Sequence, residues 1–425
     1  MITHYHRRLE CPLDPAEQGP EFELLLTCCR PKPIAAHYLR QQQLAASGLD
    51  AGKVLALGIR HKVSPLLYCN LRSHPAGTFS HKLLDKLAEQ YRRNSQLALH
   101  VLQATHELMR AGQGLRLIVM KGLDVAARAY GDLAPRHVGD MDILVDPAQL
   151  DETLMVLAAQ GWTLDQPEIL SAATRNILLR NQNHCILIRE RFPHMELHWR
   201  AMHNPFEFPI NDWRALAVSK RSNLGIPGLD NEDLIIYLCL HGARHGWGRL
   251  KWLFDLPNVL DTHDVDWPQL WQRAHRLGAG LAIQQGLLLA QKYCDYDLSL
   301  EIKSGFRYSI NPSQWQAICT FQQGPELWME YPPARLKLHQ WLNRILTARR
   351  IDVLVWYCAM LFYPNIDDYR VLKLPSRLQL LYFPLRPVLW GIRQVQIRQM
   401  RKLKSQAQRG QDIDSQSKTS GKAGA

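Results

Sequence analysis

Apolar residues recur every three to four positions through most of residues 22–110, the spacing of amphipathic helices. FELLLTCCR, IAAHYLRQQQLAA, KVLALGIRHKVSPLLYCNLRS and KLLDKLAEQYRRNSQLALHVLQATHELMRAG all carry it. Gly112 and Gly114 break the pattern, and LRLIVM (115–120) follows as a short, continuous apolar run of the kind that forms a buried strand. Lys121-Gly122 makes a turn, LDVAARAY a helix, and DMDILV (140–145) a second strand. Asp146 as N-cap and Pro147 at the first helical position open a helix over 147–160 that Gly161 ends. HCILI (184–188) and HMELHW (194–199) read as two antiparallel strands around the turn RERFP. After Asn211 the pattern is helical again. DNEDLIIYLCLHGARHGWGRLKWLFDL is capped by Asp230 and Asn231, and WPQLWQRAHRLGAGLAIQQGLLLAQKYC is strongly amphipathic. The expectation is an α+β protein. A small mixed sheet in 113–212 lies between helical regions at 1–112 and 213–345. An apolar helical segment (346–400) and a basic, disordered tail (401–425) follow.

One strand breaks its own pattern. Asp140 and Asp142 sit two apart in a run that otherwise reads as buried, so both point to one face. Paired carboxylates on an apolar strand are costly unless they bind something positive. A divalent metal carrying a nucleoside triphosphate fits that requirement. Nucleotidyl transfer needs a hydroxyl deprotonated, a triphosphate held, and charge offset on the α-phosphate and the leaving pyrophosphate. Two ions, Mg2+ or Mn2+, about 3.5–4 Å apart on rigidly placed carboxylates can do all three. Glu196 is the best candidate for a third acid. It shares a strand face with His194 and His198, while Met195, Leu197 and Trp199 take the opposite, apolar face.

The charge pattern narrows the choice of partner. The chain of 425 residues carries a net charge of +12. Residues 393–425 hold eight Lys/Arg and two Asp, so half of the excess lies in that tail. The body is only mildly basic, and no basic–aromatic interleaving of the kind that stacks bases is present, which argues against a nucleic-acid partner. Nine cysteines without a CxxC pair read as reduced thiols of a cytoplasmic protein. The opening MITHYHRRLECPLD has no apolar run behind its basic residues, so no signal peptide is expected. The apolar runs at 351–364 and 378–392 are each too short to span a bilayer, which takes about 20 residues. The favoured expectation is that they pack on the body with the basic tail solvated. Peripheral contact with the inner face of a membrane is the alternative.

Lys121-Gly122, then Arg136, then GDMDILV (139–145), then MELHW (195–199) together resemble the bacterial uncharacterised nucleotidyltransferase family, within the DNA polymerase beta-like nucleotidyltransferase superfamily. RHKVSPLLYCNLR (60–72) resembles its N-terminal helical region, and LCLHGARHGWGRLKWLFDL (238–256) the helices after its catalytic unit. The resemblance covers about 22–300. It implies that 113–212 is a nucleotidyltransferase core, with Asp140, Asp142 and Glu196 as catalytic metal ligands. By the same resemblance Glu196 activates the acceptor hydroxyl or completes a metal site. Lys121 and Gly122 would cradle phosphates at a strand-to-helix turn. Arg136 would contact phosphate or steady the loop, or pair with Asp132 or Asp140. Most of the superfamily has Gly-Ser at this turn and a shorter interval to the paired acids; here seventeen residues separate Gly122 from Asp140.

His241 and His245 are four apart and share a helix face. With His198 they could form a zinc site, but Gly242 and Ala243 stand where HExxH has its Glu and the following residue, so site lining or helix packing is the expectation. Arg244, Arg249 and Lys251 can supply positive charge to a triphosphate or give the helix a solvated face. The leading reading is a metal-dependent transferase moving a nucleoside monophosphate from ATP or another NTP to a hydroxyl, with release of pyrophosphate. A catalytically weak or inactive nucleotide-binding scaffold of the same fold is the alternative. The acceptor, whether protein, sugar or small molecule, is not specified by the sequence.

Overall fold

A computed structural model of the chain describes residues 15–165, 179–180, 182–209, 224–308, 310, 312–325, 327–330, 333, 335–338, 351–396 and 399. The basic tail expected over 401–425 lies outside the described residues. The chain opens with helices α1 (Pro20–Thr27), α2 (Ala35–Ala46), α3 (Ala51–Arg60), α4 (Ser64–Leu71) and the 31-residue α5 (His81–Ala111). Then come β1 (Leu117–Val119), α6 (Leu123–Tyr130), β2 (Met141–Val145), α7 (Leu150–Ala159), β3 (Thr163–Leu164), β4 (His184–Ile188) and β5 (Met195–His198). Helices α8 (Asn231–Arg244), α9 (Leu250–Thr262), α10 (Trp267–Leu277) and α11 (Gly280–Cys294) complete the main body. The architecture is α+β, as the pattern predicts.

Where helices end follows local chemistry. Pro65 at the start of α4 separates it from α3. Gly278 in the left-handed conformation ends α10, splitting a stretch that reads as one helix from periodicity. Gly246-Trp247-Gly248 divides α8 from α9. Trp247 swings back into the core, and it occupies the space that a side chain at Gly242 would need. The helix expected over 147–160 begins with a single 3-10 turn, Pro147–Gln149, capped by Asp146, before α7 proper.

The sheet has strand order β1-β2-β5-β4-β3. The β2–β5 pair is parallel and the other three pairs are antiparallel. Its two faces bury different cores. Met141, Ile143 and Val145 of β2, with Cys185, Leu187, Met195 and Leu197, pack with Ala98, Val101 and Leu108 of α5 and Leu150 and Leu157 of α7. Leu144, Ile118 and Met120 join a second, larger core that runs through α1–α4 and α8–α11. The N-terminal and C-terminal helices therefore share one hydrophobic core, and the sheet is applied to its side.

Candidate active site

Alternation along β2 and β5 puts the polar residues towards the helical body. Asp142 and Leu144 point to that face, while their neighbours face α5 and α7. Register then brings acids together across strands: Asp142 is the partner of Glu196, and Leu144 of His198. On the other side of β5, Glu196 pairs with Ile186 and His198 with His184. Carboxylate oxygens of Asp140, Asp142 and Glu196 lie within 4.8 Å of one another. His184, Glu196 and His198 form a second group of the same tightness. Among the described residues no such group includes His241 or His245.

Asp142 is the buried centre of the site, with 1% of its surface exposed. Its Oδ1 lies 3.0 Å from Lys121 Nζ and 3.5 Å from His198 Nε2. Its Oδ2 has no hydrogen-bond partner among the described residues. Burial pushes its carboxyl pKa up, but Lys121 and the hydrogen bond from His198 outweigh burial and hold the pKa below the usual aspartate value. Burial likewise opposes ionisation of Glu196, and His198, with His184 and Lys121, overcomes it and brings the pKa to about 2. Both carboxylates are thus ionised at neutral pH. Burial opposes the charge on Lys121 too, but Asp142, then Tyr237, Asp140 and Glu196, hold its pKa above the ordinary lysine value.

His198 sits between the acids, its Nε2 3.2 Å from Glu196 Oε2. Asn183 Nδ2 approaches its Nδ1 at 3.1 Å, which leaves Nε2 to donate towards the carboxylates. The two acids raise the His198 pKa against the opposing effect of burial. Burial, followed by the nearby His198, pushes His184 down to about 4.

The phosphate turn is shaped from below. Gly122 takes φ +72° and ψ −109°, a conformation that favours glycine, and opens α6. Arg136 is expected from sequence to contact phosphate or to steady the loop, and its contacts are those of the second role. It is 3% exposed, pairs bidentately with Asp255 of α9 at 2.7 Å for each bond, and donates to Gly122 O at 3.0 Å. Its guanidinium braces the turn instead of lining the cleft, and neither Asp132 nor Asp140 is its partner. Asn94 of α5 clamps the following loop. Its side chain donates to Ala134 O and Arg136 O and accepts from Val138 N, which fixes the approach to Asp140.

Opposite the acids stand helices α8 and α9. A cleft of about 250 Å³ separates the two walls. Lys121, Asp140, Glu196, His184 and His198 line one side; Tyr237, His241, Arg244, His245, Arg249, Lys251 and Trp252 line the other. His241 and His245 lie 4.6 Å apart by ring centroids, and Trp252 packs on both. Both rings line the cleft. Lys251 donates to His137 O at 3.2 Å; burial, then Arg136, lowers its pKa to about 7. Sequence reasoning missed His184, Asn183 and Tyr237. A hairpin register centred on RERFP would have put His184 opposite His198, and Tyr237 precedes His241 by one helical turn.

Three clustered carboxylates, Asp140, Asp142 and Glu196, therefore face helices that carry Arg244, Arg249 and Lys251 across the cleft. Residues 47–295 match the family described as uncharacterised nucleotidyltransferase, and the chain belongs to that family. No curated protein and no solved structure matches the chain.

Proposed function

We propose that the protein transfers a nucleoside monophosphate from an NTP to a hydroxyl acceptor and releases pyrophosphate. The observation that carries this reading is one cleft with walls of opposite sign. Asp140 and Glu196 line one wall with Asp142 buried behind them, and oxygens of the three lie within 4.8 Å of one another. Lys121 reaches the same cleft from the phosphate turn, and Arg244, Arg249 and Lys251 stand on the other wall.

The residues fit a divalent metal. The donor set is all oxygen, which suits Mg2+ or Mn2+. Asp142 keeps a buried oxygen, Oδ2, without a hydrogen-bond partner among the described residues. Asp140, Asp142 and Glu196 would hold the metal, with the Asp142–Glu196 register fixing the bite. A divalent metal held there would supply Lewis-acid activation of the acceptor hydroxyl and offset charge on the phosphoryl groups. The low pKa of Glu196 makes it a ligand first and a poor proton acceptor. Lys121 and the N–H groups at the start of α6 would bind phosphate oxygens, and Gly122 lets the backbone approach them closely. The described cysteines are free thiols, most of them buried, which supports a reducing, cytoplasmic location.

The test is label transfer from each α-labelled NTP in a cell extract with Mg2+ or Mn2+, followed by fractionation of the product as protein, nucleic acid, lipid or small molecule. Transfer should vanish with EDTA and in the Asp140→Asn/Asp142→Asn variant. A variant that transfers label as well as the wild type refutes the assignment.

A further inference from the structure

The apolar surface of this protein is unevenly spread. Of 22 large hydrophobic side chains exposed among the described residues, 14 lie between Ile351 and Val395. They belong to α15 (Ile351–Phe362), α16 (Ile366–Val371), the 3-10 turn Ser376–Leu381, α17 (residues 382–396) and the links between them. (The intervening short helices, α12 at Leu300–Lys303, α13 at Pro312–Gln323 and α14 at Leu327–Glu330, lead up to this unit.) The expectation that 351–364 and 378–392 pack on the body is met only in part. Val353 is the one buried hydrophobic residue of α15, while Ile351, Val355, Leu361 and Phe362 are exposed.

This exposure belongs to a well-pinned unit. Asn365 and Asp368 form a reciprocal capping box at the start of α16. Asp368 is fully buried and pairs with Arg386 and Arg393 of α17. Tyr382 donates to Leu372 O and accepts from Leu374 N. Tyr363, just after α15, packs edge-on against Phe383. The polar groups are thus spent on holding the helices to one another, and the side chains left outside are Leu380, Phe383, Val388, Trp390, Ile392 and their like. A protein rarely exposes so much contiguous-in-sequence apolar surface without something to cover it.

Charge indicates what covers it. Residues 366–404 contain nine Lys/Arg against two Asp, a net +7, and both Asp are paired internally with Arg370, Arg386 or Arg393. No described helix is long and apolar enough to cross a membrane. Exposed Leu, Ile, Phe and Trp interspersed with cations, on helices too short to span, match a surface that sits in the headgroup region of an anionic bilayer. We propose that residues 351–396 form a membrane-docking surface for anionic lipid, with the cations that follow in sequence adding to its charge. The surface is tied to the rest of the molecule next to the cleft. Asn204 donates to Val353 O, Tyr357 donates to Glu207, and Trp356 packs on His203, all in the segment after β5. Ala201 and Met202 of that segment line the cleft itself.

The test is sedimentation of the full chain with vesicles of phosphatidylcholine alone and of phosphatidylcholine with phosphatidylglycerol, alongside its oligomeric state by light scattering. Binding should need the anionic lipid and weaken at high salt. Leu380→Glu/Trp390→Glu, both at exposed positions, should abolish it with circular dichroism unchanged. Replacing Arg398, Arg401, Lys402 and Lys404 by Gln should weaken it roughly fivefold for each cation that reaches the surface. Equal binding to both vesicles, or none to either, overturns the proposal. So does a dimer that the Leu380→Glu/Trp390→Glu variant dissociates, which would make a second copy the occupant.

Discussion

The Arg136–Asp255 pair offers the sharpest test of how the phosphate turn is held. Arg136→Met keeps the length of the side chain and removes its charge. Asp255 then stays fully buried with Tyr130 Oη, at 3.1 Å, as its remaining hydrogen-bond donor among the described residues, and Gly122 O loses its donor. Two charge-assisted bonds of 2.7 Å disappear. Breaking a buried pair from one side costs about 3–5 kcal/mol, because the surviving charge is left uncompensated. Arg136→Met/Asp255→Leu removes both charges and should recover most of that loss, since apolar replacement of both partners is often close to neutral. Urea melts followed by tryptophan fluorescence give the three free energies, and the double-mutant cycle should show a coupling of about 3 kcal/mol. A loss below about 1 kcal/mol in Arg136→Met would refute the view that this pair holds the turn.

Two further outcomes can be read from the same melts. His61 is fully buried and accepts from Leu250 N through Nδ1; burial, then Arg60 and Arg249, pushes its pKa down to about 3. The unfolded chain takes up its proton below about pH 6.5 and the folded chain does not, so stability falls with pH from there to about 3, by up to about 1.4 kcal/mol per unit. His61→Asn should flatten that acid limb; an unchanged slope would show that the ring is not held neutral. At Gly242 an added Cβ would overlap the Trp247 ring, so Gly242→Ala should cost about 1–3 kcal/mol through overpacking, and a neutral result would mean that Trp247 can retreat.

Much of the site is legible in the sequence because strand alternation is a local rule. Asp142 among apolar neighbours, and Glu196 and His198 opposite Met195 and Leu197, can be assigned to faces without any knowledge of the fold. The α+β class follows from the same periodicities. What is not legible is anything that depends on distant pairing. The parallel β2–β5 register, which sets Asp142 beside Glu196, joins segments more than fifty residues apart. The partner of Arg136 is 119 residues away, so spacing alone offers Asp132 or Asp140 in its place. Periodicity also runs through Gly246 and Gly278, because a helix break at glycine leaves the apolar repeat on either side intact.

The shared helical core has a consequence for how the chain is made. Leu25, Val54 and Leu67 are buried in the same core as Ile236, Phe254 and Leu287, and the whole sheet unit lies between them in sequence. When α4 leaves the ribosome, about 160 residues must still be synthesised before α8 begins. At 5–20 residues per second that is roughly ten to thirty seconds. For that interval the first four helices carry an apolar face that has no native cover. The nascent chain therefore exposes that apolar face until the last helices of the body close over it.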